Sequence, residues 1–162
     1  MRFSICIIAA CALFSVFCPE NSMAKSVKTK VKNEVVQTTQ NIPFQLANNY
    51  FIQNSIKTIT SPKINTQNEF DQIFGAAAVM GRNGRPTPID FKKQYVIVAA
   101  KPESDHSIEM KAIGLHQNSA GELVFEYQTT VGAKQSYTIH PFLLIVVDKK
   151  YIGKVQLKEV VK

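Results

Sequence analysis

Two arginines, Arg82 and Arg85, stand three residues apart in the stretch GRNGRPTPID, residues 81–90. Apart from Arg2 they are the only arginines in the chain; the rest of its basic charge is lysine. A guanidinium pairs bidentately with a carboxylate, which a compact ammonium does not. Either arginine therefore suits an acidic specificity pocket, as in a trypsin-like protease. Proline lacks an N–H and distorts the leaving side of the preceding bond, so Arg85-Pro86 resists cleavage. Pro86 and Pro88 also reduce the entropy lost when such a loop docks. Arg82, Asn83, Gly84, Arg85 and Pro86 thus form a candidate partner-binding loop. The plainer alternative is a simple connection between a helix and a strand.

Other constellations offer less. The three histidines, His106, His116 and His140, show no H-E-x-x-H or other ligand-like spacing. Asp105 and His106 are adjacent and read as an exposed turn, a second candidate partner surface. His140 precedes Pro141, which biases it to an extended conformation. No G-x-S-x-G elbow is present, and no glycine-rich loop follows a strand in phosphate-cradling form. Glu109 and Glu126 fall on the polar faces of amphipathic strands, where solvation explains them. The expectation is a protein without catalysis, cofactor or metal.

The elements that must position these residues read mainly as β. NYFIQNSIKTIT, residues 49–60, has strand composition. Thr66 and Glu69 form an S/T-x-x-E capping box. Phe70, Ile73, Phe74 and Ala77 follow at helical spacing, with Gly75 ending the helix early. QYVIVAA (94–100) and FLLIVVD (142–148) are apolar on both faces, as in covered central strands. SIEMKAI alternates, with Ile108, Met110 and Ala112 opposite Glu109 and Lys111. ELVFEYQ alternates too, with Leu123, Phe125 and Tyr127 on one face. Asn118 to Gly121 is turn chemistry. In YIGKVQLKEVV, Val155 and Leu157 oppose Lys154, Gln156 and Lys158. The expected fold is a mainly β (α+β) domain: a small antiparallel rolled sheet or sandwich of five to six strands with one short helix.

The N-terminus sets the compartment. Arg2 precedes an apolar run, residues 5–17, too short for the about 20 residues of a spanning helix. Ser22-Met23-Ala24 then supplies a small-residue exit, so residues 1–24 read as a secretory signal peptide. The competing reading is a lipid anchor at Cys11. Cys6, Cys11 and Cys18 all lie in this segment, so cleavage after Ala24 leaves no thiol for a disulfide or a nucleophile. Residues 25–48 read as a polar, lysine-rich arm and residues 49–162 as one domain. The whole chain carries 19 basic and 12 acidic side chains. Arg2 and Glu20 fall before the cut, so the net charge is +7 with or without those residues. An exported basic protein, periplasmic, secreted or envelope-associated, meets envelope anions or acidic protein patches. Nucleic-acid binding would need a basic-and-aromatic motif, which is missing.

Ile89-Asp90-Phe91, YVIVAAKP, HSIEMKAI, ELVFEYQTTVG and IHPFLLIVVDK, taken together, resemble the C-terminal domain of the PrcB family, a protease-complex subunit family. The resemblance covers roughly residues 49–162. It rests on a sheet pattern more than on chemistry. Where that family tends to have Gly-Gly-Tyr, this chain reads Ser104-Asp105-His106, so the family's contacts are not carried onto that segment. The resemblance implies a non-catalytic partner of an extracytoplasmic protease, acting as an inhibitor or complex subunit. The alternative expectation is a structural or small-ligand-binding envelope protein with a pocket in the sheet.

Overall fold

The computed structural model describes residues 40–77 and 84–160. The signal peptide, the lipidation alternative, most of the arm, Arg82 and Asn83 lie outside the described residues. The two runs apolar on both faces form the centre of the domain. They are β6 (Gln94–Ala100) and β9 (Phe142–Asp148), paired antiparallel over their full length, from Gln94 opposite Asp148 to Ala100 opposite Phe142. Side chains alternate across a strand. Tyr95, Ile97, Ala99, Ile145 and Val147 therefore enter one core. Val96, Val98, Leu144 and Val146 enter a second core on the opposite face. Two short antiparallel strands complete this sheet: β2 (Gln45–Leu46) beside β9 and β4 (Lys63–Ile64) beside β6.

The first core lies between this sheet and another, in which β1 (Gln40–Asn41), β7 (Ser104–Gln117), β8 (Leu123–Ile139) and β10 (Val155–Val160) follow in that order. Leu115, Leu123, Phe125, Tyr127 and Val155 fill it from that side. β10 runs parallel to β8, whereas the other described pairs are antiparallel. The alternation read for β7 holds at Met110 and Ala112, which pack on the core. It then breaks. Ala112 faces Tyr127 while Gly114 faces Glu126, so Ile113 is the extra residue of a bulge. That residue turns outward, and Leu115 regains the core. The β7–β8 turn is as expected: Asn118 Oδ1 accepts from the N–H groups of Ala120 and Glu122 at 3.0 and 2.9 Å. Gly121 takes φ +79°, a left-handed conformation that favours glycine.

The second core is covered by α1 (Gln67–Ile73) and a ribbon of β3 (Tyr50–Ile52) and β5 (Phe74–Ala76). Thr66 caps the helix, its hydroxyl accepting from the N–H of Glu69 at 3.2 Å. The carboxylate of Glu69 reaches back to Asn65 N–H rather than to the cap residue itself. Phe70 packs its ring on Tyr50, Phe74 and Phe91 at 5.0, 5.0 and 5.5 Å. The helix ends at Ile73, and Phe74 and Gly75 already belong to β5.

Mainly β structure with one short helix is therefore the fold, with ten strands in three small sheets and no closed barrel among the described residues. The number of strands exceeds the expected five to six because two- and three-residue edge strands carry too little pattern to read. The strand expected over residues 49–60 is confined to Tyr50–Ile52. Residues 40–47, read from composition as part of the arm, supply β1 and β2 and the buried Ile42 and Ala47. Among the described residues, both cores draw on positions between Ile42 and Val155.

Tyr95 gives the first core a signature in alkali. Its ring is 1 % exposed, and its hydroxyl donates to the Tyr151 carbonyl at 3.0 Å. Burial, then the charge of Asp148, pushes its pKa up to about 12. The folded pKa lies above that of the unfolded chain, so folding favours the neutral phenol. This contribution is complete below the ordinary phenol pKa and is lost as pH rises towards 12. The loss amounts to about 2–3 kcal/mol. Tyr95→Phe is expected to flatten that alkaline loss while costing about 1 kcal/mol at neutral pH. Urea melts of both proteins at neutral and strongly alkaline pH check it.

Candidate functional site

The described half of the arginine loop is tied down. The N–H of Asn48 donates to Thr87 Oγ1 at 2.9 Å, and the N–H of Thr87 donates to the Asn48 carbonyl at 3.2 Å. The Tyr50 hydroxyl donates to the Thr87 carbonyl at 2.6 Å. Asn49 adopts φ +63°, left-handed backbone in which asparagine is enriched. Its side-chain amide donates to the Arg85 carbonyl at 2.9 Å. Gly84 is buried, Arg85 is exposed and Pro86 is half-buried. Burial, with Asp71 second, raises the pKa of Tyr50, so the hydroxyl stays a donor far above neutral pH.

These contacts fix the backbone at Arg85 and leave the residue exposed. A substrate-like loop must turn the carbonyl of its scissile residue to the attacking nucleophile. The Arg85 carbonyl is instead held by Asn49, while the residue itself is exposed. An open groove of about 680 Å³ runs beside it, lined by Gln45, Asn48, Asn49, Arg85, Pro86, Thr87 and Pro88. Its charge is one arginine and no carboxylate. Pro86 also closes a smaller cavity of about 210 Å³ over the aromatic cluster of Tyr50, Phe70, Phe74 and Phe91. That volume is below the ~300 Å³ of ordinary small-molecule pockets.

Asp105 and His106 do not form the exposed turn read from the sequence. They are the second and third residues of β7. His106 Nδ1 lies 2.9 Å from Asp105 Oδ1, and Lys134 Nζ on β8 lies 3.0 Å from Asp105 Oδ2. The hydrogen bond from Lys134 holds the Asp105 carboxyl below the usual range; burial opposes it, and the hydrogen bond and charge of His106 add to the lowering. Lys134 stands opposite His106, but Ile139 stands opposite Ser104, so β8 is strongly bulged here. Past Gln128, β8 loses its β10 neighbour, and Val131 and Tyr137 are exposed. No described hydrogen bond, ion pair or cavity joins Asp105 and His106 to Arg85.

Three glutamates are engaged in ion pairs, Glu126 of the two read as solvated among them. Glu126 pairs with Lys158 at 2.8 Å, Glu103 with Lys57 at 3.0 Å, and Glu159 with Lys101. Among the described residues no three His, Cys, Asp or Glu side chains converge as a metal-binding group. None of the described helices is long and apolar enough to cross a membrane. Sequence reading missed Asn48, Asn49 and Tyr50 as the support of the loop. They lie 36 to 39 residues before their partners, and the Asn-Asn pair was the sole local signal. No family model, curated protein or solved structure matches the chain significantly.

Proposed function

We propose that this protein is an exported, non-catalytic protein-binding module, a protease inhibitor or protease-complex subunit that acts by occlusion. Its partner is an extracytoplasmic protease with an acidic recognition pocket. The observation that supports this most is the tethered, exposed arginine loop. Four hydrogen bonds hold Arg85–Thr87 on Asn48–Tyr50, so docking loses little further conformational entropy. Arg85 acts through its guanidinium at the groove rim, and Arg82 is the residue whose peptide bond is offered to the active site. The interface belongs to the standard class of roughly 1,600 Å².

Incubating residues 25–162 with a panel of secreted proteases tests this, following residual activity, stable complexes and cleavage products by mass. The expected result is a stable complex with at least one protease, in which residues 81–90 are protected or cut slowly. Rapid cleavage at Arg82 without inhibition or complex formation by any of them would make the loop an ordinary connection. A second reading, an envelope protein that binds a polar glycan, is favoured by the amide side chains of Gln45, Asn48 and Asn49 in the groove. Saturable glycan binding without a protein partner would establish it.

A further inference from the structure

Several segments meet at the end of the sandwich where the chain enters at Gln40. Gln40 lies opposite Gln117, whose side-chain amide donates to the carbonyls of Gly121 and Ile152 at 2.9 and 3.0 Å. Leu123 N–H donates to the Lys154 carbonyl at 2.8 Å, and Lys149 N–H to the Lys93 carbonyl at 2.8 Å. Lys149 Nζ reaches the Phe91 carbonyl at 2.6 Å. Five exposed lysines are gathered there: Lys92, Lys93, Lys149, Lys150 and Lys154. None of them forms an ion pair among the described residues. The lysines that do are Lys57, Lys101, Lys134 and Lys158, placed along β10 or at the opposite end.

The carboxylates of this end are occupied. Asp90 Oδ1 accepts from the Lys92 N–H at 3.0 Å, and Asp148 Oδ1 from the Lys150 N–H at 2.8 Å. Glu122 Oε2 accepts from Asn118 Nδ2 and Gln156 Nε2 at 3.1 and 2.7 Å. Three acids face five lysines, so the surface stays positive. Ile152, two residues from both Lys150 and Lys154, has 76 % of its surface exposed, more than any other large apolar side chain described. Its turn is braced: a Cβ on the next residue, Gly153, would stand 2.5 Å from the Gly121 carbonyl oxygen.

A single exposed isoleucine needs no explanation. One held in a turn between Lys150 and Lys154, at an end whose exposed lysines form no described ion pair, does, because lipid headgroups attract the cations while the apolar side chain reaches the acyl boundary. A soluble polyanion would use the lysines and leave Ile152 idle. We propose that this end of the domain docks on an anionic lipid bilayer, with Ile152 entering the headgroup–acyl boundary and Lys92, Lys93, Lys149, Lys150 and Lys154 over the headgroups. The proposal uses neither the arginine loop nor its groove, so it stands apart from the protease reading.

The test sediments residues 25–162 with vesicles of phosphatidylcholine alone or of equal parts phosphatidylcholine and phosphatidylglycerol. Pelleting with the anionic vesicles only, released by high salt, is the expected result. Ile152→Ser is expected to weaken it roughly tenfold. Replacing Lys92, Lys93, Lys150 and Lys154 by glutamine should weaken it more than a hundredfold, at roughly fivefold per lysine. All five positions are exposed, so unchanged thermal melts accompany these losses. Equal pelleting with neutral vesicles, no pelleting with anionic ones, or full retention by the lysine variant would overturn the proposal. So would binding to a soluble polyanion with no vesicle binding, or vesicle binding indifferent to Ile152→Ser.

Discussion

Phe125→Ala is expected to destabilise the domain by about 3–5 kcal/mol, a large part of the total for a domain of this size. Phe125 is fully buried near the start of β8. Its ring meets Phe44 edge-on at 6.1 Å and Tyr127 at 6.0 Å. Covered strands on both sides leave no room for the chain to collapse onto the gap, so the cavity persists. Urea unfolding followed by circular dichroism reads the loss directly. A cost below about 1 kcal/mol would mean that the two sheets do not pack through this residue.

The second large effect concerns the partner. Replacing both Arg82 and Arg85 by alanine is expected to weaken protease binding by about 2–4 kcal/mol, or roughly 30- to 1,000-fold, mostly through faster dissociation. Arginines that pair with a buried carboxylate are frequent interface anchors, because their removal leaves the partner's charge unpaired. Arg85 is exposed and its backbone contact with Asn49 does not need its side chain. The double variant should therefore melt at the temperature of the parent. Surface plasmon resonance on an immobilised protease measures the change, and an unaltered dissociation rate would remove this loop as the anchor.

What could be read from the sequence was what local pattern determines. QYVIVAA and FLLIVVD are apolar at every position that must be buried on one face or the other, and they became the two covered strands. Thr66 and Glu69 announce a helix start within four residues, and that helix is there. The two-residue strands β1 and β2 hold their place through pairing with β7 and β9 and through the few apolar residues Ile42, Phe44 and Ala47. Single buried residues in a polar stretch make no periodic signal, so composition assigned them to the arm. The bulge at Ile113 and the larger one after Lys134 are equally silent, because a bulge is a mismatch between two strands and not a property of one. Asp105 and His106 read as a turn because polar residues cluster around them, yet pairing with β8 makes them strand. The loop's support was hidden for the related reason that Asn48, Asn49 and Tyr50 meet Arg85 and Thr87 only after folding. The lysines around Ile152 come from two separate turns, and only the sheet register gathers them.

The central claim is that the arginine loop occludes a protease active site. The most direct measurement is a competition: the isolated complex is titrated with a small inhibitor that fills the active site of that protease. Mutual exclusion is predicted, with the inhibitor releasing the domain in proportion to active-site occupancy. A ternary complex of protease, small inhibitor and domain, formed with undiminished affinity, would contradict it and move the contact to another face of the fold.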